Sequence, residues 1–198
     1  MNVVNRGWLV VSGCLRSGLV AALVFALVMA GCKRGEKPAG SADGKKDSKA
    51  VAQTATGVEP GATMPDYSAM NLDGTTFELA SRREKVVLLN LWATWCGPCR
   101  YEIPELQRIH DTYLSRGFEV VGVSVDESGV ESVKQFVAEN TMKYPVVLDP
   151  QGKLATVLQT SVLPTSILIG RDGRIVWKKY GAILENDEEL KSAIEKAL

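Results

Sequence analysis

Hydrophobic and polar positions divide this chain into three stretches. A dense apolar run, Leu19 to Ala30, follows Arg6 and Arg16, and no acidic residue occurs before Glu36. From Lys33 to Gly57 the chain is rich in Gly, Ser, Ala, Lys and Asp and has no aromatic residue. Beyond it, short apolar runs and helical spacings alternate. Asp66–Met70 and Thr76–Leu79 flank Asn71-Leu72-Asp73-Gly74, which predicts a β-hairpin. Val86–Leu91 is apolar except for Asn90, as in a strand buried on both faces. Cys99, Ile103, Leu106, Ile109 and Tyr113 then fall near one helical face, and Gly117 stops that helix. Phe118–Val125 predicts the next buried strand, ending at Asp126. Val130–Glu139 predicts an amphipathic helix with Val133, Phe136 and Val137 on one side. Pro145–Leu148 reads as a short extended piece and Leu154–Leu158 as one or two helical turns. Thr165–Ile169 and Arg174–Tyr180 flank Asp172-Gly173, a second hairpin, and Asn186 or Asp187 can cap a last helix running to Leu198. The order ββ, β, α, β, α, a short element, then ββα predicts an α/β fold: a mixed central sheet with helices on both faces.

Composition narrows the function. An apolar fraction of 45% and a charged fraction of 23% are those of an ordinary globular chain. A net charge of zero argues against nucleic acid or a strongly acidic partner. The lone His110 argues against a histidine-built metal site.

The N-terminal pattern of positive residues, a short apolar run and then small residues describes a secretory signal peptide. The run is short for a membrane-spanning helix, which needs about 20 apolar residues. Met29-Ala30-Gly31-Cys32 resembles the bacterial lipobox, with Met where Leu is more usual. That resemblance implies cleavage before Cys32 and lipid attached to it; an uncleaved signal anchor is the alternative. The expected organisation is a signal peptide at 1–31, lipidated Cys32 with a flexible linker to residue 57, and one domain at 58–198. Cleavage removes Arg6, Arg16 and Cys14 and no acid, so the mature chain carries two more acidic than basic residues. The linker composition is too polar to order itself. Cys96 and Cys99 are then the free cysteine pair.

That pair lies in Trp92-Ala93-Thr94-Trp95-Cys96-Gly97-Pro98-Cys99-Arg100, between a predicted strand and a predicted helix. Free amide N–H groups and the dipole at a helix N-terminus favour a thiolate, and C-x-x-C sites reach pKa values of about 3.5–7.5. Cys96 is expected to be exposed there and to be the nucleophile. Cys99 shares the first turn and is placed to resolve a mixed disulfide. Pro98 is tolerated because first-turn N–H groups have no helical partner, and Gly97 leaves room for a substrate chain. A zinc site would need further ligands that the chain lacks. A purely structural disulfide would close too short a loop to stabilise much.

These residues resemble the thioredoxin superfamily. Leu89–Cys96 with Arg100, Glu102 and Pro104, then Val123-Ser124-Val125-Asp126 and Leu163-Pro164-Thr165, look like its membrane-tethered TlpA/ResA branch. The resemblance spans about residues 57–198. It implies a thioredoxin-like fold with an N-terminal β-hairpin and a central insertion around Val130–Leu148. It implies that Pro164 is the cis-proline facing the cysteines and that the Leu163 backbone pairs with substrate. Pro104 matches a helix-kinking proline. The residues expected to meet substrate are therefore Trp95, Gly97, Pro98, Leu163 and Pro164.

Thioredoxin itself has a buried aspartate where this chain has Asn90, so another group must handle the Cys99 proton. Glu102 matches an acidic residue that the branch uses near its site, and burial would raise its pKa into a useful range. Gly97-Pro98 resembles the reducing member of the superfamily, whose potential is about −270 mV.

The expected function is a lipid-anchored oxidoreductase of the bacterial envelope, facing the periplasm or cell exterior, with no cofactor and as a monomer. It would reduce disulfides of exported proteins, apocytochrome c among them. A DsbD- or CcdA-like membrane protein would supply electrons. An oxidase, a thiol peroxidase and a non-enzymatic binding lipoprotein are the alternatives. His110 is expected on the surface, Trp177 and Tyr180 in strand packing, and Lys178-Lys179 on a solvated edge.

Overall fold

A computed structural model describes residues 58–198. The expected signal peptide, Cys32 and the linker up to residue 57 lie outside the described residues. The described part builds a seven-stranded mixed sheet from β1 (Ser68–Asn71), β2 (Thr76–Glu78), β3 (Val86–Trp92), β4 (Phe118–Ser124), β5 (Val146–Leu148), β6 (Thr165–Ile169) and β7 (Ile175–Tyr180). The spatial order is β2-β1-β5-β4-β3-β6-β7. β3, β4 and β5 run parallel, and the other pairings are antiparallel. Four helices pack on this sheet: α1 (Gly97–Tyr113), α2 (Val130–Glu139), α3 (Lys153–Val157) and α4 (Glu188–Ala197).

The continuous apolar character of β3 follows from its central place. Val86, Leu88 and Trp92 point to one face, where they meet Ile103, Leu106 and Ile109 of α1, Val133 of α2 and Leu190 and Ile194 of α4. Val87, Leu89 and Leu91 point to the other face, against Leu154 of α3, Leu158 just beyond it, and Met64, Tyr67, Phe77 and Leu79 from the N-terminal segment. A strand covered on both sides has no solvent face on which polar residues could alternate.

The predicted hairpin is β1–β2, and the predicted insertion is α2 with β5. β5 lies between β4 and β1, so the insertion joins the N-terminal hairpin to the main sheet. Gly117 ends the α1 region at φ 86°, after a single 3-10 turn at Leu114–Arg116. That left-handed conformation favours a residue without Cβ. Asp187 caps α4 by accepting from the Leu190 N–H. Among the described residues no helix is long and apolar enough to cross a membrane.

Three surface expectations are corrected. His110 is buried, with 6% of its surface accessible, and its Nδ1 accepts the Val120 N–H at 3.2 Å. It lies four residues after Leu106, so it shares the core-facing stripe of α1. Lys178 and Lys179 are not a solvated edge: Lys178 reaches Glu59 at 3.2 Å and lies over the Tyr180 ring, and Lys179 pairs with Asp187. Tyr180 is exposed, whereas Trp177 packs on the core as expected.

Candidate active site

The parallel strands β3 and β4 end side by side, and the chain leaving β3 must turn into α1 there. The Trp92 carbonyl accepts the Val125 N–H at 3.0 Å. Beyond it the turn is held by one buried carboxylate. Asp126 accepts the Thr94 N–H at 2.9 Å and the Thr94 hydroxyl at 2.5 Å, and the Ser124 hydroxyl also donates to it at 2.7 Å. From sequence, Asp126 reads as a strand end and as part of the Val123–Asp126 string that resembles the TlpA/ResA branch, without a role of its own. Its recognisable signal is the Ser-x-Asp spacing, which becomes meaningful once the two strand ends are neighbours.

This turn presents Trp95, 71% accessible, and then Cys96. Cys96 is the residue before α1, with extended φ and ψ of −81° and 105°. Its Sγ accepts the Cys99 N–H at 3.2 Å. Pro98 occupies the first turn, where its missing N–H costs nothing. A Cβ added to the exposed Gly97 would meet nothing within 4 Å, so the space over the motif is open.

Cys96 and Cys99 form a disulfide. The expectation of an exposed Cys96 is corrected for this oxidised state: Cys96 is 5% accessible and Cys99 1%. In this disulfide the Cys96 sulfur lies against the first turn of α1.

Leu163 and Pro164 reach the same place from β6. The Leu163–Pro164 peptide is cis. β6 pairs with β3 up to Thr165 opposite Leu91, which sets the Leu163–Pro164 turn beside the end of β3. Trp95 and Leu163 line one groove. Among the described residues, the Leu163 N–H and C=O have no backbone hydrogen bond.

Glu102, one turn after Cys99, is 1% accessible. Its Oε1 accepts from Asn90 Nδ2 at 2.8 Å, and its Oε2 accepts the Ile183 N–H at 2.7 Å. Asn90 Nδ2 also reaches the Ser166 hydroxyl at 3.0 Å. Burial pushes the Glu102 carboxyl from 4.5 up to about 7, against the opposing pull of these two hydrogen bonds and of the Lys179 charge. Asn90 is thus not a proton carrier but a fixed donor that orients the acid. Sequence reasoning misses Ser166 and Ile183. Ser166 is one serine in an apolar strand, and Ile183 contributes a main-chain group that no side-chain pattern announces. Among the described residues no three His, Cys, Asp or Glu side chains converge as metal ligands.

Comparison with known proteins agrees with this geometry. The Redoxin family model matches residues 59–196. The thiol-disulfide oxidoreductase ResA of a Bacillus cereus strain is 34% identical over 136 residues, covering 69% of this chain and 77% of that protein. ResA of Bacillus subtilis (strain 168) is 33% identical over 129 residues, 65% of this chain and 72% of that one. Among solved structures, a secreted thiol-disulfide isomerase from Corynebacterium glutamicum superposes with a TM-score of 0.61 at 30% identity, covering 67% of this chain and 83% of that one. The thioredoxin domain of a thiol-disulfide oxidoreductase from Bacteroides vulgatus gives a TM-score of 0.62 at 26% identity, covering 71% and 99%.

Proposed function

Because this chain belongs to the Redoxin family, in the TlpA/ResA-like branch of the thioredoxin superfamily, and is a thiol–disulfide oxidoreductase, we propose that it reduces disulfides of exported proteins with Cys96 as nucleophile and Cys99 as resolving thiol. The observation that carries this assignment is the unequal placing of the two sulfurs. Cys96 stands at the N-terminus of α1, where its Sγ accepts a main-chain N–H, and Cys99 lies beneath it in the first turn. A thiolate at the first position is stabilised by that N–H and by the helix dipole.

In the reduced enzyme the Cys96 thiolate attacks one sulfur of a substrate disulfide, and the other leaves as a thiolate that takes up a proton. Cys99 then gives up its proton and attacks Cys96 of the mixed disulfide. The substrate leaves as a dithiol, and the enzyme holds the Cys96–Cys99 disulfide. Glu102 is the acceptor of the Cys99 proton: a carboxyl at about 7 is partly ionised near neutral pH and can both take and return it. Substrate backbone pairs with the Leu163 N–H and C=O beside Pro164, while Trp95, Gly97 and Pro98 form the contact surface.

Each turnover consumes two electrons, which a membrane donor of DsbD or CcdA type returns. Residues 1–31 are a signal peptide, Cys32 bears lipid, and the linker to residue 57 lets the domain at 58–198, a monomer, reach substrates at the envelope surface. Apocytochrome c belongs to the proposed substrates.

The test is trapping. A Cys99→Ala protein is expected to accumulate a mixed disulfide on Cys96, identified by mass spectrometry, while the reduced wild type cleaves insulin disulfides. Absence of any adduct, together with intact insulin, refutes the proposal.

A further inference from the structure

Asp126 and Glu127 are neighbours with opposite directions. Asp126 turns inward and fixes the Thr94 turn, whereas Glu127 is exposed. Glu127 lines a groove of about 320 Å³ that starts at Trp95 and Leu163. Leu91, Val125 and Ala155 add an apolar lining, and Glu127 is the one charged side chain among the residues that line it. Lys153, at the start of α3, does not line this groove but an adjoining depression with Ser68 and Met70. The groove is therefore continuous with the proposed substrate contact at Leu163, has a mixed lining in which Gln151, Thr160 and Ser161 stand beside the apolar residues, and carries a single negative charge.

We propose that this groove seats the stretch of substrate polypeptide beside the reacting cysteine, and that Glu127 favours substrates with a basic side chain there. The inference rests on the reading of protein disulfides as substrates. Three features support the occupant named. An extended peptide that pairs with the Leu163 backbone alternates its side chains to two sides, so every second residue near the cysteine is offered to a neighbouring surface. The apolar part of the lining, Leu91, Val125 and Ala155, accepts the methylene stem of Lys or Arg and leaves the charged end at Glu127. The Asp126–Thr94 clamp fixes the backbone just before Trp95, so the base of the rim is set before substrate arrives.

The test uses short peptides with one cysteine, joined as a mixed disulfide to the neutral thiol 2-mercaptoethanol. Arg, Ala or Glu is placed two residues before or after the cysteine. The reduced enzyme is mixed with each, and oxidation of its dithiol is followed in a single turnover. The disulfide of 2-mercaptoethanol itself serves as a control for Cys96 reactivity. The expected result is faster oxidation by the Arg peptide than by the Ala peptide, by about two- to five-fold, the range of an exposed ion pair, with the Glu peptide slowest. Glu127→Lys should invert that order and leave the rate with the small control unchanged. Equal rates for all peptides, or an order that Glu127→Lys does not alter, overturns the inference and leaves the oxidoreductase reading standing. If the small control is reduced and no peptide is, both this inference and the reading of polypeptide substrates fail.

Discussion

Replacing Glu102 by Gln should change how stability depends on pH. In the folded oxidised protein, burial moves this carboxyl from 4.5 to about 7. Each tenfold change in proton affinity corresponds to about 1.4 kcal/mol, so the difference amounts to about 3 kcal/mol. The folded chain holds the Glu102 proton more tightly than the unfolded chain does. Stability from this group is therefore complete below pH 4.5, declines as pH rises, and is lost above about pH 7. A glutamine does not titrate. Its amide oxygen can keep the Ile183 N–H, and its amino group can face a turned Asn90 amide, whose oxygen also accepts from Ser166. Urea unfolding of both oxidised proteins at several pH values gives the free energies to compare. The gap between Glu102→Gln and wild type should move in favour of the variant by about 3 kcal/mol from about pH 4 to about pH 8. His110 acts with the opposite sign, because burial lowers its pKa from 6.5 and stability is lost as pH falls. That contribution is common to both proteins and cancels. Parallel curves for the two proteins would refute the assigned carboxyl environment.

Two further substitutions test the frame around the cysteines. Asp126→Ala strands the Thr94 N–H and the hydroxyls of Thr94 and Ser124, so denaturant unfolding should show a loss of about 3 kcal/mol, and reduction of insulin should slow; unchanged stability would contradict the clamp. Gly122→Ala places a methyl 2.9 Å from Trp92 Nε1 and 3.3 Å from Tyr144 Cε2, which should cost about 1–3 kcal/mol by the same measurement. An unaltered midpoint would mean that the Trp92 side chain yields more freely than its packing indicates.

Much of this molecule can be read from its residues because its signals are local. The apolar run at Val86–Leu91, the spacing from Cys99 to Tyr113 and the Asp-Gly turns each name an element without knowledge of its neighbours. The motif Trp95–Cys99 names its chemistry in the same way. The surroundings of Glu102 are not local. Asn90 and Ile183 meet it, and Ser166 meets Asn90, only after β3, β6 and the segment following β7 have come together, and one of the three contributes a main-chain amide. His110 fails as a surface residue because its polar type suggests solvent while its helical spacing, four residues after Leu106, puts it in the apolar stripe, where it packs against β4. The burial of Cys96 belongs to the disulfide-bonded form, and no sequence pattern encodes which redox form is present.

The two outer strands of the sheet bear on self-association. β2 is three residues long. β7 has its first residue, Ile175, bonded to Gly61 and Ala62, has an irregular register beside Leu168 and Ile169, and carries Lys178 and Lys179 further along. Shortness, cover, irregularity and lysine all discourage one sheet from templating another. An oxidoreductase that handles incompletely folded chains meets many unpaired strands, and an open sheet rim would collect them into fibrous aggregates. Under the substrate pairing proposed above, an incoming strand would be directed to the main chain of Leu163 instead, so that capture takes place beside the cysteines and ends with release.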